Sequence, residues 1–365
     1  MNQRFLAKIL SIIQREDYLE LFEEKKSSFI HEFTEETPID FFKSPDKAYR
    51  YRAEFGLLKE KDEYFYSMTK NGEKVAINSF PISSQMIQNI MPLLLIKIQS
   101  NPIISHKLFQ IEFQSSRNDE AMVSLIYHKE LGDEWSEMAS NISNELDISI
   151  IGRSKNRKII IGNNYVTETY QYQDKKFSIK LYEQCFSQTN PYICDSMLSW
   201  VIDNIQPVEN DLMELHCGLG TFTIPLSKYF NKVLATENSR PSIQALQENI
   251  SLNNIKNVYT GRLSGKETLE AFKGVRTFRR LKDIDLKQFK IDSIFLDPPR
   301  EGLDSSTLEN IIGIKNIIYI SCGFDSFKRD LQALKSTHDI LKLAMFDQFP
   351  YTEHIESGAV LRKKY

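Results

Sequence analysis

The chain has 365 residues, of which 41% are hydrophobic and 26% charged, so it can bury a sizeable core, and its length favours two domains over one. The formal net charge of -3 excludes a globally basic protein, so any bound nucleic acid would need a local basic surface. Four cysteines without CxxC spacing argue against a disulfide framework and favour a reducing, cytoplasmic setting. The longest apolar run, 90–96, is too short to cross a bilayer, so no membrane partner is expected.

The N-terminal half combines helical patterns near the start with short stretches of alternating hydrophobicity. These stretches are YRYRAEFGLL, KVAINSF, KLFQIEFQ, AMVSLIYH, ISIIGRS and RKIIIGN. Period-two alternation is typical of strands with one buried face. The pattern therefore predicts a mostly antiparallel α+β domain over residues 1–178.

From Asp211 onward, short apolar runs alternate with amphipathic helical stretches. The strand candidates are Leu212–Leu215, Val233–Thr236, Val258–Arg262, Ser293–Leu296 and Ile317–Ser321. The helical candidates between and after them are Pro241–Leu252, Thr268–Phe272, Ser305–Ile312 and Ser326–Lys335. This alternation is typical of βαβ units and predicts a doubly wound, Rossmann-like α/β domain over residues 179–365. Two last β-like runs, Ile340–Phe346 and Gly358–Leu361, predict an antiparallel pair that closes the sheet.

A candidate cofactor site begins at ELHCGLGTFTIPL, which has the order strand, glycine-rich turn, helix. Gly218 and Gly220 would let the backbone approach a nucleotide-like ligand closely. Thr223 stands where a dinucleotide fingerprint needs its third glycine, so a bound pyrophosphate is not favoured. Glu237 ends the next strand and is placed to accept hydrogen bonds from ribose hydroxyls. The turn and this carboxylate suit S-adenosylmethionine as well as NAD.

The segment LDPPREGLD distinguishes these two cofactors. Asp297 ends the fourth strand, and Pro298 and Pro299 fix the backbone that follows it. A stiff loop is the simpler interpretation of two prolines. Together with the glycine turn and Glu237, however, Asp-Pro-Pro favours a methyltransferase that acts on a nucleobase.

Cys322 ends the next strand, so its side chain should meet Asp297 at the carboxyl edge of the sheet. A free cysteine usually fills space in a core, and that is the interpretation of the other three, Cys185, Cys194 and Cys217. For Cys322 a nucleophilic role is favoured, because one nucleobase methylation, that of uracil at C5, needs such a group. C5 of uracil alone is too poor a nucleophile to take a methyl group. A thiolate that adds to C6 places electron density at C5.

Such a mechanism also needs a base that removes the C5 proton after methyl transfer. The segment PYTEHIESGAV supplies three candidates, Glu353, His354 and Glu356. A charged cluster in a loop is usually only solvated, and position alone does not choose among these three.

Several segments together resemble a known family. CGLGTF, LDPPREGLD, YISC and FDQFPYTEHIESG are similar to segments of the RNA 5-methyluridine methyltransferases, in particular of the branch that modifies tRNA. YRYRAEF, HKLFQIEF, LIYHKELGDEW, IGRSKNRK and FSQTNPY extend the resemblance over most of the chain. The resemblance implies S-adenosylmethionine-dependent methylation of the T-loop uridine, position 54, in tRNA. It also implies a monomer that binds the tRNA T-arm, with tmRNA as a further candidate substrate.

The resemblance assigns roles to individual residues. Cys322 would be the nucleophile and Glu356 the base. The cofactor site would comprise Gln188, His216, Gly218, Gly220, Thr221, Glu237 and Asp297. Phe109 would stack on a base, and Arg52 and Glu54 would contact RNA. Further phosphate contacts are expected from at least one of three basic clusters, Arg50 with Arg52, Arg153 to Lys158, and Arg276 to Arg280.

Three departures from the family pattern concern the same sites. Gly323 and Phe324 stand where the family usually has Asn-Pro after the cysteine, His216 and Thr221 replace Tyr and Asn, and Gly56 replaces an expected arginine. Relatives that modify ribosomal RNA commonly carry a cysteine-ligated iron-sulfur cluster, which needs about four thiolates. No metal or cluster is expected here. A 23S ribosomal RNA substrate and a role in RNA binding or folding remain the alternative hypotheses.

Overall fold

The computed structural model of the chain describes residues 18–33, 37–61, 63–70, 72–205 and 210–364. Its strands, in chain order, are β1 (Ile39–Phe42), β2 (Arg52–Glu60), β3 (Glu63–Lys70), β4 (Glu73–Ile77), β5 (Leu108–Ser115), β6 (Ala121–Tyr127), β7 (Ser149–Arg153), β8 (Lys158–Ile161), β9 (Tyr165–Tyr172), β10 (Lys175–Tyr182), β11 (Asp211–Leu215), β12 (Val233–Thr236), β13 (Val258–Gly261), β14 (Ile291–Leu296), β15 (Asn316–Ser321), β16 (His338–Phe346) and β17 (Glu356–Lys363). Its α-helices are α1 (Tyr18–Glu32), α2 (Gln85–Ser100), α3 (Pro102–Ser105), α4 (Asp133–Leu146), α5 (Pro191–Asn204), α6 (Thr223–Leu226), α7 (Arg240–Leu252), α8 (Gly265–Phe272), α9 (Ser305–Ile311) and α10 (Phe324–Leu334). Within these ranges no helix is long and apolar enough to span a membrane.

The described residues form two compact units. The first contains residues 45–169 and 181–183, and the second contains residues 18–44, 170–180 and 184–364. This division differs from the single boundary after residue 178 that the sequence suggested. The reason is that α1 buries Tyr18, Phe22 and Phe29 in the core of the second unit. The helical pattern before residue 18 lies outside the described residues.

The first unit contains a seven-stranded sheet with the order β4-β3-β2-β5-β6-β7-β8. All its strand pairs are antiparallel except β6 with β7, whose connection contains α4. Its core includes Phe55 and Phe113 from the sheet, Ile87 and Leu94 from α2, and Trp135 from α4. The predicted mostly antiparallel α+β architecture is present, with β3 as a strand that the alternating pattern did not indicate.

The second unit contains an eight-stranded sheet with the order β1-β16-β17-β15-β14-β11-β12-β13. Its pairs are parallel, except that β17 runs antiparallel to both β15 and β16. The strand order reverses at β11, which has β12 on one side and β14 on the other. In doubly wound sheets this switch point forms the ligand-binding crevice at the carboxyl ends of the strands. The predicted α/β fold class is confirmed, and β1 is an edge strand that the sequence did not reveal.

Three helices around this crevice begin at caps that the sequence encodes. The Asn190 side chain accepts from the backbone N–H of Ile193 at the start of α5, where Pro191 occupies the first turn. Ser239 caps α7 in the same way. Ser264 and Glu267 form a reciprocal capping box at α8. These caps fix where each loop at the crevice ends and its helix begins.

We expect Phe29→Ala to lower the free energy of unfolding of the second unit by about 3–5 kcal/mol, because it would leave a cavity in the core. Phe29 is fully buried and its ring contacts Phe33, Phe41 and Phe324. Urea unfolding measures the change. The matched control is Ile30→Ala, because Ile30 is 42% exposed on the same helix. Equal effects of the two substitutions would show that α1 is not part of this core.

Candidate active site

The antiparallel pairing of β15 and β17 determines which residues meet at the crevice. Ser321, the last residue of β15, lies opposite Ser357 in β17. In an antiparallel pair the next positions outward are Cys322 and Glu356. The register of two strands thus brings the predicted nucleophile beside the predicted base, although they are far apart in sequence.

A cavity of about 560 Å³ lies at this edge of the sheet. Eight of the nine residues predicted for catalysis or cofactor binding line it, namely Gln188, His216, Gly218, Thr221, Glu237, Asp297, Cys322 and Glu356. Cys322 is half-buried and reaches the cavity, whereas the other three cysteines are buried. The structure therefore gathers these sequence candidates in one site.

The turn after β11 explains the need for glycine at two positions. Gly218 has a φ of +55°, and a β-carbon there would meet nothing within 4 Å, so this position opens onto the cavity. Gly220, the ninth candidate, has a φ of +98°, and its β-carbon would lie 2.5 Å from the Leu246 Cδ1 atom. Gly220 thus permits close packing against α7 rather than contact with a ligand. His216 also adopts a positive φ of 61°.

The Glu237 carboxylate organises the next part of the crevice. It accepts hydrogen bonds from the Gly218 N–H at 3.3 Å and from the Ser239 N–H at 2.7 Å. These bonds connect the glycine turn to the loop that precedes α7. A carboxylate has about four acceptor positions, so further donors such as hydroxyl groups can still bind to it.

Gln188 is oriented by a buried neighbour. The Gln348 Nε2 atom donates to the Gln188 Oε1 atom at 2.8 Å, and both side chains are buried. Gln348 follows β16 by two residues, so the β16–β17 connection also positions this cofactor candidate.

The cavity brings several carboxyl groups close together. Burial, followed by the charge of the nearby Glu237 carboxylate, raises the pKa of Asp297 to about 7. Burial, followed by the charge of Asp297, raises the pKa of Glu356 well above its usual range, and Arg300 partly offsets this. A cationic ligand would stabilise the ionised forms of these carboxylates.

Sequence reasoning missed a further carboxylate, Glu214 in β11. It lines the cavity but is only 1% exposed, and its Oε2 atom has no hydrogen-bond partner among the described residues. Burial raises its pKa to about 8, and Asp297 contributes to the shift. The signal in the sequence was an acidic residue inside the apolar strand DLMEL, where an unpaired charge is unfavourable.

The same surroundings control the thiol of Cys322. Burial, followed by the charges of Glu356 and Asp297, raises its pKa to about 11, and Arg300 partly offsets this. In the ligand-free protein at neutral pH, the side chain is therefore a thiol and not a thiolate. Positive charge near the cavity would lower this pKa.

The turn after Cys322 accounts for one departure from the family pattern. A β-carbon at Gly323 would lie 2.3 Å from the Arg300 carbonyl oxygen and 2.5 Å from Ser326 Oγ. The Ser326 hydroxyl donates to that carbonyl at 2.7 Å and packs the turn against the Asp-Pro-Pro loop. Gly323 is thus required by a close approach between the two loops.

Phe109, Arg52 and Glu54, the three residues predicted to contact RNA by the family resemblance, lie in the seven-stranded sheet of the first unit. Phe109 is half-buried and stacks on His128 with ring centroids 3.8 Å apart. Arg52 donates to the Glu183 carbonyl oxygen at 3.2 Å. Glu54 is exposed and accepts from Gln110. The arrangement leaves the RNA-binding roles of Phe109, Arg52 and Glu54 as predictions.

Several residues of the predicted basic clusters already have acidic partners. Arg153 and Lys158 both pair with the buried carboxylate of Glu183, at 2.9 and 2.8 Å. Arg280 pairs with Glu267 at 2.7 Å. These cations therefore stabilise the fold and have less charge available for phosphate than their sequence positions suggested. Among the described residues, no group of three or more His, Cys, Asp or Glu side chains could hold a metal ion.

Comparison with known families identifies the chain. The family model for tRNA (Uracil-5-)-methyltransferase matches residues 16–364. The chain belongs to this family. It is 41% identical to a tRNA/tmRNA (uracil-C(5))-methyltransferase from Acinetobacter baylyi over 354 residues, which cover 94% of this chain and 98% of the relative. It is 42% identical to the protein of the same description from Neisseria meningitidis, over 89% of this chain and 92% of the relative.

A solved structure supports the fold of this uracil-5-methyltransferase family member. The tRNA (uracil-54, C5)-methyltransferase of Pyrococcus abyssi, crystallised with S-adenosyl-L-homocysteine, matches with a TM-score of 0.73 and 22% identity. The match covers 94% of this chain and 83% of the Pyrococcus chain. The resemblance deduced from sequence motifs is thereby confirmed at the level of family and fold.

We expect Gly323→Ala to destabilise the second unit by about 1–3 kcal/mol and to displace Cys322, because its β-carbon would overlap the Arg300 carbonyl. Thermal unfolding and the rate of Cys322 alkylation by iodoacetamide measure the two effects. Gly313→Ala is the control, since a β-carbon there would meet nothing within 4 Å. Unchanged stability and alkylation in Gly323→Ala would contradict the proposed close approach.

We expect Asp297→Asn to stabilise the ligand-free enzyme at pH 8, by on the order of 1–3 kcal/mol after allowing for water in the cavity. The folded-state pKa of Asp297 is raised from 3.8 to about 7. The folded state therefore binds more protons than the unfolded state between these values, so this carboxyl reduces stability as pH rises through the window. Urea unfolding from pH 4 to pH 8 tests this. The advantage of Asp297→Asn should shrink toward pH 4, and the exposed control Asp325→Asn should show none.

Proposed function

We propose that this uracil-5-methyltransferase family member methylates C5 of the T-loop uridine at position 54 of tRNA, with Cys322 as nucleophile and Glu356 as base. The observation that carries the proposal is their adjacency at the end of the β15–β17 pair, beside one cavity. The description of the Pyrococcus protein, which names uracil 54, supports the position. The names of the curated relatives support tRNA and extend the proposal to tmRNA.

The cavity fits S-adenosylmethionine. Its volume of about 560 Å³ lies within the range of small-molecule sites, roughly 300–1,000 Å³. The buried Glu214 carboxylate has an oxygen without a partner among the described residues, and Gly218 leaves open space above its backbone. Glu237 would hold the ribose hydroxyls, and Asp297 and Glu214 would face the cationic part of the molecule. When bound, S-adenosylmethionine supplies the methyl group that is transferred to C5.

Cys322 must lose its proton before it can attack. Its thiol has a raised pKa because it is buried near the carboxylates of Glu356 and Asp297. A cation bound in the cavity offsets these carboxylates and lowers the pKa of the thiol. Ionisation is therefore coupled to occupation of the cofactor site, which protects the nucleophile in the ligand-free protein.

The thiolate then adds to C6 of the extruded uracil and forms a C6–S bond, which moves an electron pair toward C5. Once C5 carries the methyl group, Glu356 takes the remaining C5 proton. The electron pair of that C–H bond forms the C5–C6 double bond, the C6–S bond breaks, and Cys322 leaves as a thiolate. Glu356 must be ionised to take this proton, and its raised pKa then makes the carboxylate a stronger base toward a carbon-bound proton.

The first unit would supply the RNA contacts. The Phe109–His128 stack presents flat aromatic surface in its sheet, and aromatic rings bind unstacked bases by about 1–3 kcal/mol each. In the second unit Phe186 is 70% exposed and lines the methyl-donor cavity, so it is a further aromatic candidate that the sequence analysis did not select.

We expect a covalent adduct between the enzyme and a tRNA transcript that carries 5-fluorouridine at position 54, because fluorine cannot leave C5 as a proton. Denaturing gel electrophoresis and mass spectrometry would locate the bond. Cys322→Ala should abolish the adduct and retain tRNA binding. Cys185→Ala is the matched control, since Cys185 is buried.

The same assay tests the choice of RNA. A transcript with 5-fluorouridine only at another T-loop uridine, and a 23S ribosomal RNA fragment, should form no adduct. An adduct on the ribosomal fragment but not on tRNA would refute the proposed substrate. An adduct that persists in Cys322→Ala would refute the proposed nucleophile.

A further inference from the structure

The helix α1 contacts the loop that leads to one proposed catalytic residue, Glu356, and the helix that follows the loop of the other, Cys322. It precedes the first unit in the chain but belongs to the second. One loop, residues 347–355, connects β16 to β17 and ends at Glu356, the first residue of β17. The other loop follows β15 and contains Cys322. No role for α1 follows from the sequence motifs.

Lys25 in α1 binds both ends of the 347–355 loop. Its Nζ atom donates to Asp347 Oδ1 at 2.6 Å, to the Phe349 carbonyl oxygen at 3.0 Å and to the His354 carbonyl oxygen at 3.1 Å. An ammonium group has about three donors, so these three bonds use its full capacity. The last of the three acceptors lies two residues before Glu356. Lys25 therefore closes the loop and fixes the backbone that leads into the proposed base.

The ion pair between Lys25 and Asp347 lies in a buried environment. Asp347 is 0% exposed, and its second oxygen accepts from the Tyr18 hydroxyl at 2.6 Å. The Tyr18 ring also packs against Tyr351 in the same loop, with centroids 5.5 Å apart. A buried carboxylate that loses its cation is strongly destabilised. The pairing therefore holds α1 and the loop in one arrangement.

The other end of α1 contacts α10, the helix that begins directly after the loop of the proposed nucleophile. Phe29 packs on Phe324, which follows Cys322 by two residues, with ring centroids 5.4 Å apart. Glu32 pairs with Lys328 of α10 at 3.0 Å. A second cavity, of about 520 Å³, lies between α1 and the two loops, and Cys322 lines it as well. The helix α1 thus lies beside this second cavity and contacts both the 347–355 loop and α10.

We infer that α1 fixes the position of Glu356 relative to Cys322, with Lys25 as the positioning residue. This inference rests on the roles of Cys322 and Glu356 in the proposed function. Lys25 does not touch reacting atoms, so it acts through the backbone of the 347–355 loop. Addition of Cys322 and methyl transfer precede the step that uses Glu356. Loss of Lys25 should therefore slow proton removal and elimination more than formation of the covalent adduct.

The test compares Lys25→Met with Lys26→Met in the full-length enzyme. Lys26 lies next to Lys25 in α1, pairs with Glu23 at 3.1 Å and has a partly exposed side chain. Its Nζ atom also lies over the Phe41 ring of β1, 5.4 Å from the centroid, and not on the 347–355 loop. We expect Lys25→Met to lower the turnover of unmodified T-arm RNA about 10- to 100-fold, a typical cost of misplacing a catalytic group. The steady-state fraction of enzyme covalently bound to that RNA should rise. Lys26→Met should match the wild type in both measurements.

A second readout removes the step that depends on Glu356. The rate of adduct formation with 5-fluorouridine RNA needs Cys322 and the methyl donor but no proton removal. We expect the rate of adduct formation in Lys25→Met to stay within a factor of about three of the wild-type rate. This change is much smaller than the expected loss of turnover. Equal losses in the two assays would show a merely structural role and overturn the inference, as would unchanged turnover.

Lys25→Met leaves Asp347 buried without its cation, so this variant could fail to fold. The double variant Lys25→Met/Asp347→Asn removes both charges, and the introduced amide oxygen can still accept from the Tyr18 hydroxyl. It still lacks the bonds to the two loop carbonyls, so the same split between the two assays is expected. A folded double variant with wild-type turnover would overturn the inference. Absence of any adduct in the wild-type enzyme would instead overturn the proposed function on which the inference rests.

Discussion

The candidate active site depends on the antiparallel insertion of β17 between β15 and β16. In a purely parallel sheet, the carboxyl end of every strand would lie at the crevice. The last residues of β17, and not its first, would then lie there. Because β17 runs in the opposite direction, its first residue lies at that edge. The register of a single strand pair then places Glu356 next to Cys322. A shift of one residue would move Glu356 to the other face of the sheet and separate the two groups.

The electrostatics of the crevice follow from this packing. Glu214, Asp297 and Glu356 come from three different strands or strand ends. Besides burial, the charge of Asp297 raises the pKa of both Glu214 and Glu356, and Glu237 raises that of Asp297. Such a cluster is unfavourable in the empty protein and becomes favourable when a cation binds. Its effect is thus to favour a cationic methyl donor over a neutral product of similar shape. The buried carboxyl groups that create this preference also lower the stability of the protein when no cation is bound.

Much of the second unit could be predicted from the sequence, because its strands are short continuous apolar runs and its site residues follow them directly. The strands β11 to β15 and the pair at the chain end lie close to their predicted bounds. The role of α1 and β1 could not be predicted, since their partners lie near the other end of the chain. Glu214 was missed although an acidic residue inside an apolar strand was a signal, because that signal does not show which cavity the side chain lines. Likewise, the requirement for Gly323 depends on the Arg300 carbonyl, which belongs to another loop.

The pairing of β1 with β16 also affects how the protein is made. Ile39 lies opposite Leu343, so the ribosome must add roughly 300 residues before this strand can find its partner, at about 5–20 residues per second. During those tens of seconds the apolar side of α1, with Phe22 and Phe29, lacks the core that finally covers it. The strands that complete the candidate active site are therefore among the last described elements to be synthesised. The strands β16 and β17 therefore matter for folding during synthesis as well as for the candidate active site.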